Sequence, residues 1–487
     1  MNHITIDPIT RLEGHGKIDI FLNDDGDVEN CYFLVPELRG FEKFCQGRPV
    51  EEMPRITTRL CGVCPEAHHM ASAKACDAVY HVTPPPTGRK LRELLYNVFF
   101  AGDHTLHFYA LGGPDFVVGP DAPAAQRNIL GVVAKVGVEI GKKVIQMRAH
   151  HSEIMQLLGG KKVHQVTSLP GGVTKGLTEE ERKGVEQRIL EMVEFGKFTI
   201  KVFDDIVLKN KAYVDLILSE TYSLKTYSMG LVDENNHVNF YDGKVRVVDS
   251  EGREFVKYEP NDYLDVVAEH VEPWTYLKFP FLKKIGWKGF VEGDASGVYR
   301  ATPLSRLNAA DGMATPLAQA EFERMYETLG GKPVHATLAT HWARIIELLY
   351  ATERAYELIK DPEITGEKIR TVPTATPTEG VGIVEAPRGT LTHHYVTDER
   401  GLVKKVNLIV GTTNNNAPIS MSIKKAAMGL IRSGAEITDG TLNKIEMAFR
   451  AYDPCLACAT HAMNGGMPFE VRVYDTRGNI VQRAARM

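Results

Sequence analysis

Apolar residues change their period several times along this chain, and each change marks an element. "KIDIFL" and "CYFLVPEL" alternate around "NDDGDVEN", whose Asp-Gly turn predicts an N-terminal β hairpin. From Arg59 to Tyr80, Ala, His and Lys replace β-branched residues and apolar positions fall at helical spacing. The prolines Pro84 to Pro86 and the glycines Gly112 and Gly113 bracket a long helix. "VEIGKKVIQMRAHHSEIMQLLGG" predicts a second, Glu179 to about Leu218 a third, and "HATLATHWARIIELLYATERAYELIK" a fourth. Four such helices imply a bundle core. Leu231 to Tyr276 reads as strand and loop, and 371–410 as irregular Pro/Gly-rich chain with short strands. "SMSIKKAAMGLIRSG" and "LNKIEMAFRAY" are the closing helices, and "FEVRVYDTRGNIV" predicts a last hairpin. The predicted class is mainly α with an α+β periphery: a long-helix bundle core and an N-terminal β hairpin or sheet.

Composition narrows the function. The chain has 487 residues, 43% hydrophobic and 24% charged, which is ordinary for a globular protein. A net charge of −5 offers no footprint for nucleic acid or an anionic membrane. No apolar run approaches the roughly 18 residues of a spanning helix. "MNHITIDPIT" has neither a basic n-region nor an apolar h-region. The expectation is a cytoplasmic protein without direct membrane insertion, unless a partner subunit carries an export signal for both. The seven cysteines are an odd number, which argues against a disulfide framework. Cys31, Cys45 and Cys76 have apolar or aromatic neighbours and read as small buried hydrophobes.

The other four come in pairs. "RLCGVCPEAHHM" holds Cys61 and Cys64, with His68 beyond; "DPCLACATH" holds Cys455 and Cys458, with His461 beyond. Thiolates are soft ligands that suit zinc, Fe–S clusters, copper(I) and sulfur-rich nickel. Four of them close a zinc site, but zinc sites usually draw both pairs from nearby sequence, and most of this chain lies between them. Two separate redox pairs are another reading, although no βαβ pattern surrounds Cys61. Spacing alone leaves zinc, redox pairs and another metal centre open.

The flanking residues carry a resemblance. "RLCGVCPEAH" and "DPCLACATH" resemble the two cysteine motifs of [NiFe] hydrogenase large subunits. "PITRLEGHG", "ELRGFEKFCQGR", "DHTLHFY" and "EAPRGTLTHHY" stand in that family's order, from about Ile4 to beyond His461. The chain is most similar in style to the cytoplasmic group that works with soluble carriers.

The resemblance implies one catalytic domain over 1–461, its bundle core carrying the metal site, and a C-terminal extension over 462–487 removed on maturation. It implies Cys61 and Cys455 as terminal nickel ligands and Cys64 and Cys458 as thiolates bridging nickel to iron. The iron would carry carbon monoxide and cyanide, installed by maturation proteins. Glu13 matches the proton-transfer carboxylate. Arg388 matches the arginine over the metals, oriented by Asp103 and Asp453. Glu42 and His461 match side-chain ligands of a separate magnesium (or iron), whose backbone ligand falls at Asn416. Where the family often has Pro-Thr-Thr-Trp-Asn this chain has "VGTTNNN", which makes Thr412 the candidate for cyanide contact. His68 is expected to hydrogen-bond a cysteine sulfur, and His107, His393 and His394 to be structural.

Heterolytic cleavage of dihydrogen needs a Lewis acid and a base, which a four-thiolate nickel supplies. No further cysteine cluster or nucleotide-binding glycine motif is present, so the electrons need a partner. The implied partners are a small subunit with Fe–S clusters, further flavin or Fe–S electron-transfer subunits, and a maturation endopeptidase. The alternatives are a hydrogen sensor with the same site and a four-cysteine structural zinc protein. A respiratory-complex-type subunit, which lacks the metal cysteines, does not fit.

Overall fold

The computed structural model describes residues 3–35, 37, 39–434, 436–460, 469–474 and 480–486. Its centre is the helix Thr340–Lys360, which packs against Pro86–Leu106 and Glu179–Phe203. Pro86–Leu106 packs in turn against Val138–Gly159, completing the bundle. Thr340–Lys360 is buried on nearly every side, from Trp342 to Ile359, as a core helix of a large domain must be. Pro86 starts its helix where a missing N–H costs nothing. A capping box between Thr178 and Glu181 starts Glu179–Phe203.

Two sequence expectations change. The continuous helix expected to about Leu218 breaks after Phe203 into a wide turn, Asp204–Leu208. A new helix, Lys211–Ile217, begins there because the Asn210 side chain accepts the Ala212 N–H. The stretch 371–410 is irregular only up to 378, and its strands are longer than expected. It forms a three-stranded antiparallel sheet of Glu379–Ala386, Gly389–Thr397 and Val403–Ile409. The first two strands are buried over most of both faces, so the alternation that marks a half-exposed strand is missing from their sequence.

This sheet and one helix position the first cysteine pair. Pro65–Val79 lies flat on strand Glu379–Ala386 because two glycines remove the side chains between them. A Cβ at Gly382 would stand 2.2 Å from the Ala71 carbonyl oxygen, and one at Gly380 2.4 Å from the Val79 nitrogen. Helix and strand therefore meet backbone to backbone. The N-terminal sheet, His3–Ile6, Lys17–Leu22 and Val28–Leu34, packs on Asn416–Leu430 and shares a second core with Asp439–Arg450. That core brings the two ends of the chain together. Phe469–Tyr474 and Ile480–Arg486 pair as the expected C-terminal hairpin. Cys31, Cys45 and Cys76 are buried free thiols. Among the described residues no helix is long and apolar enough to cross a membrane.

Two expectations follow from this packing. Gly382→Val forces a backbone contact apart and should cost about 3 kcal/mol of stability. A lower urea midpoint checks it, and an unchanged midpoint would contradict the close approach. The second concerns His69, which is buried with its ring wedged between two backbone groups. Its Nε2 accepts the Ser168 N–H at 2.9 Å, so Nδ1–H donates to the Pro54 carbonyl at 2.8 Å and the ring is neutral. Burial lowers its pKa to about 4. A depressed value means that its contribution is full above the unfolded pKa of about 6.5 and is lost as pH falls from there toward 4. His69→Gln keeps a donor and an acceptor without a titrating ring. Urea midpoints at pH 7 and pH 5 should then converge relative to wild type; equal slopes would refute the assignment.

Candidate metal centre

The first cysteine loop is set by its two ends. The tight turn Thr57–Leu60 stops at Cys61, whose backbone is extended, and Pro65 opens the next helix with Cys64 at its N-cap. Within the loop, the backbone N–H groups of Val63 and Cys64 point at the Cys61 sulfur, at 3.2 and 3.3 Å. The second loop turns sharply at Asp453, in the left-handed region at φ 54°, which aspartate tolerates better than most residues. Thr412 Oγ1 then accepts the Cys455 N–H at 3.0 Å. The one-turn helix Leu456–Ala459 carries Cys458 round to the same side.

The four sulfurs converge. Cys61 and Cys455 Sγ are 3.1 Å apart, Cys455 and Cys458 2.9 Å, and Cys64 and Cys458 3.4 Å. All four lie within 4.8 Å of one another and all are buried. Sulfurs sharing one tetrahedral metal at about 2.3 Å stand about 3.8 Å apart, so the set has the right size. Its charge makes the same point. Hydrogen bonds from its neighbours, Cys455 first, pull the Cys61 thiol well below its ordinary pKa, whereas burial pushes Cys455 and Cys458 well above theirs. Four thiolates fit in this volume together only around a cation, which a bound metal supplies. The donor set therefore fits a nickel–iron group.

Over the sulfurs stands Arg388, from the turn between two strands of the central sheet. Its guanidinium is 3.1 Å from Asp103 Oδ2 and 2.8 Å from Asp453 Oδ2, and all three side chains are buried. Burial opposes the arginine's charge, but the two carboxylates outweigh it and hold its pKa above the ordinary value. Burial also raises Asp453 to about 7, against the pull of Arg388 and Arg344. A small cavity is lined by Arg388, His68 and Thr412 together with Cys64, Cys455 and Cys458.

Two polar groups extend from the sulfurs. Glu13 Oε2 accepts from the Cys455 thiol at 3.0 Å and from the Ala457 N–H at 3.1 Å. The Leu456 N–H donates to the Glu13 carbonyl at 3.0 Å, so the N-terminal arm and the second cysteine loop are pinned together. Burial raises the Glu13 carboxyl above its ordinary pKa, and the Cys61 charge raises it further. His68 Nε2 is 3.4 Å from Cys458 Sγ, and its Nδ1 is 3.2 Å from His393 Nε2. His393 continues to the Tyr395 hydroxyl at 2.6 Å, and Tyr395 donates to Ser72 Oγ at 2.8 Å. Sequence reasoning set His393 aside with His394. Strand alternation separates them: His394 turns away to Tyr263 and Glu379, and His393 faces His68. His107 Nε2 donates to the Arg450 carbonyl at 3.1 Å, and lies 3.9 Å from Asp453 Oδ1. Arg344, which the sequence did not single out, is fully buried, donates to the Ala451 carbonyl at 3.1 Å and faces Asp453 electrostatically.

The remaining predicted residues lie elsewhere. Glu42 is buried, and its Oε1 accepts the Leu408 N–H at 2.8 Å. Asn416 opens its own helix. Its carbonyl accepts the Ser420 hydroxyl at 2.9 Å, and its side chain donates to the Lys278 carbonyl. His461 lies outside the described residues.

Comparison with known proteins agrees with this geometry. A family model described as nickel-dependent hydrogenase matches residues 39–130 and 231–461, and one described as HoxL-like matches 3–38. The chain is 48% identical to an iron-sulfur subunit of the F420-non-reducing hydrogenase of Archaeoglobus profundus, over 99% of both. It is 39% identical to the NAD-reducing hydrogenase HoxS subunit beta of Cupriavidus necator, again over 99% of both. A solved NAD+-reducing [NiFe]-hydrogenase in the H2-reduced state is similar at a TM-score of 0.88 and 38% identity, covering 95% of this chain and 100% of that one. A family model over more than half of the chain, and relatives 48% and 39% identical over nearly all of it, agree with four thiols that close on one point from opposite ends of the sequence: the chain belongs to the nickel-dependent hydrogenases, as a [NiFe] large subunit.

Proposed function

We propose that this chain is the catalytic subunit of a complex that reversibly splits dihydrogen into protons and electrons at a nickel–iron centre. The observation that carries the proposal is the convergence of four buried thiols beside a carboxylate and beneath a fixed cation. When bound, the nickel–iron group supplies the Lewis acid and the redox chemistry that dihydrogen cleavage needs. Cys61, Cys64, Cys455 and Cys458 would hold the nickel–iron group, whose iron would carry carbon monoxide and cyanide, and Thr412 would stand beside it. Arg388 acts as a charged, oriented group and not as a base, since its paired carboxylates hold its proton. His68 steadies the Cys458 sulfur. Glu13 takes the proton from Cys455 Sγ and passes it outward; its raised pKa brings it nearer to working pH.

A separate magnesium (or iron) site at Glu42 and His461, with a backbone ligand at Asn416, is part of this reading, and the Leu408 N–H helps orient the Glu42 carboxylate. Electrons leave through a small subunit with Fe–S clusters and then through flavin or Fe–S subunits, because the described residues hold no second cysteine cluster. Both relatives are named as hydrogenase subunits, which supports a multisubunit complex. A cytoplasmic location accords with an odd number of cysteines, which argues against a disulfide framework.

Glu13→Gln tests the proton route. Glutamine keeps the shape and accepts the same hydrogen bonds but cannot carry a proton. Nickel content should match wild type, while H/D exchange and turnover fall about a hundredfold or more. Wild-type exchange would mean that protons leave elsewhere. The C-terminal extension, 462–487, is proposed to be cut after His461 by an endopeptidase once nickel is in place. Intact mass of active, nickel-loaded protein should show a chain ending at His461. A fully active chain ending at Met487 would refute processing.

A further inference from the structure

One cation sits where the two cysteine loops meet, and it is not a ligand. Arg39 Nη1 donates to the Leu60 carbonyl at 2.6 Å and to the Ala457 carbonyl at 3.4 Å; Nη2 donates to the Arg59 carbonyl at 3.0 Å. Its own backbone N–H donates to the Thr460 carbonyl at 2.8 Å. Leu60 immediately precedes Cys61, and Ala457 immediately precedes Cys458. The carbonyls of Arg59 and Leu60 end the tight turn Thr57–Leu60, where helical carbonyls lack partners and a cation is favoured. The Phe41 ring lies 5.0 Å from the guanidinium carbon and holds it in place. Among the described residues no carboxylate is within ion-pair distance of Arg39. Both of its terminal nitrogens donate to the backbone of the loops.

We propose that Arg39 is a positioning residue, a clamp that fixes the first cysteine loop against the second and so sets the spacing of the four sulfurs. A planar guanidinium reaches both loops at once with fixed geometry. A lysine is a point charge and serves one loop at a time. The clamp rests on the hydrogenase reading only in that the group so gripped is nickel-containing.

The test uses the purified complex as wild type, Arg39→Lys and Arg39→Gln. Nickel release to an added chelator should accelerate about tenfold or more in Arg39→Gln, the usual scale for residues that orient metal ligands, and less in Arg39→Lys. Backbone hydrogen exchange, read by mass spectrometry, should rise in 59–64 and 455–460 together in Arg39→Gln, with the bundle helices unchanged. Release at the wild-type rate with unchanged exchange in both segments overturns the clamp. So does a rise confined to one loop, or one spread over the whole chain, which would signal general destabilisation. Wild type free of nickel would sink the hydrogenase reading alone, since the exchange comparison still decides the clamp.

Discussion

Four buried sulfurs in mutual contact are the constraint on which this structure turns. They come from opposite ends of the chain, and burying them as thiolates is unfavourable without a cation to share. Everything around them holds the two loops together until that cation is present. The N-terminal sheet and the Asn416–Leu430 and Asp439–Arg450 helices build a second core that seats the second loop. Gly380 and Gly382 let the helix of the first loop rest on the central sheet, whose next turn carries Arg388. Glu13 and Thr412 pin the second loop through its backbone.

Around the sulfurs charge is organised in pairs. Arg388 faces the cavity, and Asp103 and Asp453 fix it from two different elements, a bundle helix and the second cysteine loop. Arg344 from the central helix adds its charge near Asp453 without an ion-pair contact. Breaking a buried pair costs more than never having it, which keeps the layer rigid. A rigid cation over the site costs no reorganisation when charge moves beneath it. Different groups meet the two sulfurs of the second loop: Cys455 meets the Glu13 carboxylate, and Cys458 meets His68, which His393 links to Tyr395 and Ser72.

Much of this was legible in the residues, and the illegible part has a common cause. The bundle helices announce themselves by period and by their proline and glycine ends, and both cysteine pairs by spacing. The length of the strands in 371–410 was not visible, because strands buried on two faces lose alternation. The break before Lys211 depends on one asparagine cap that a window of apolar residues averages away. Arg344, His393 and the role of Arg39 depend on contacts between residues far apart in sequence: Arg39 reaches Ala457, and His68 reaches His393. Arg39 stood inside a recognised motif, but nothing local in "ELRGFEKF" says that its partners are the carbonyls beside Cys61 and Cys458.

The central claim is that these four cysteines hold nickel and iron. Infrared spectroscopy of the purified complex, with metal analysis of the same sample, tests it most directly. A nickel–iron centre predicts one nickel per chain and intrinsic carbonyl and cyanide bands that vanish in Cys64→Ser. Stoichiometric zinc with no nickel and no such bands would contradict it and leave a structural four-cysteine site in its place.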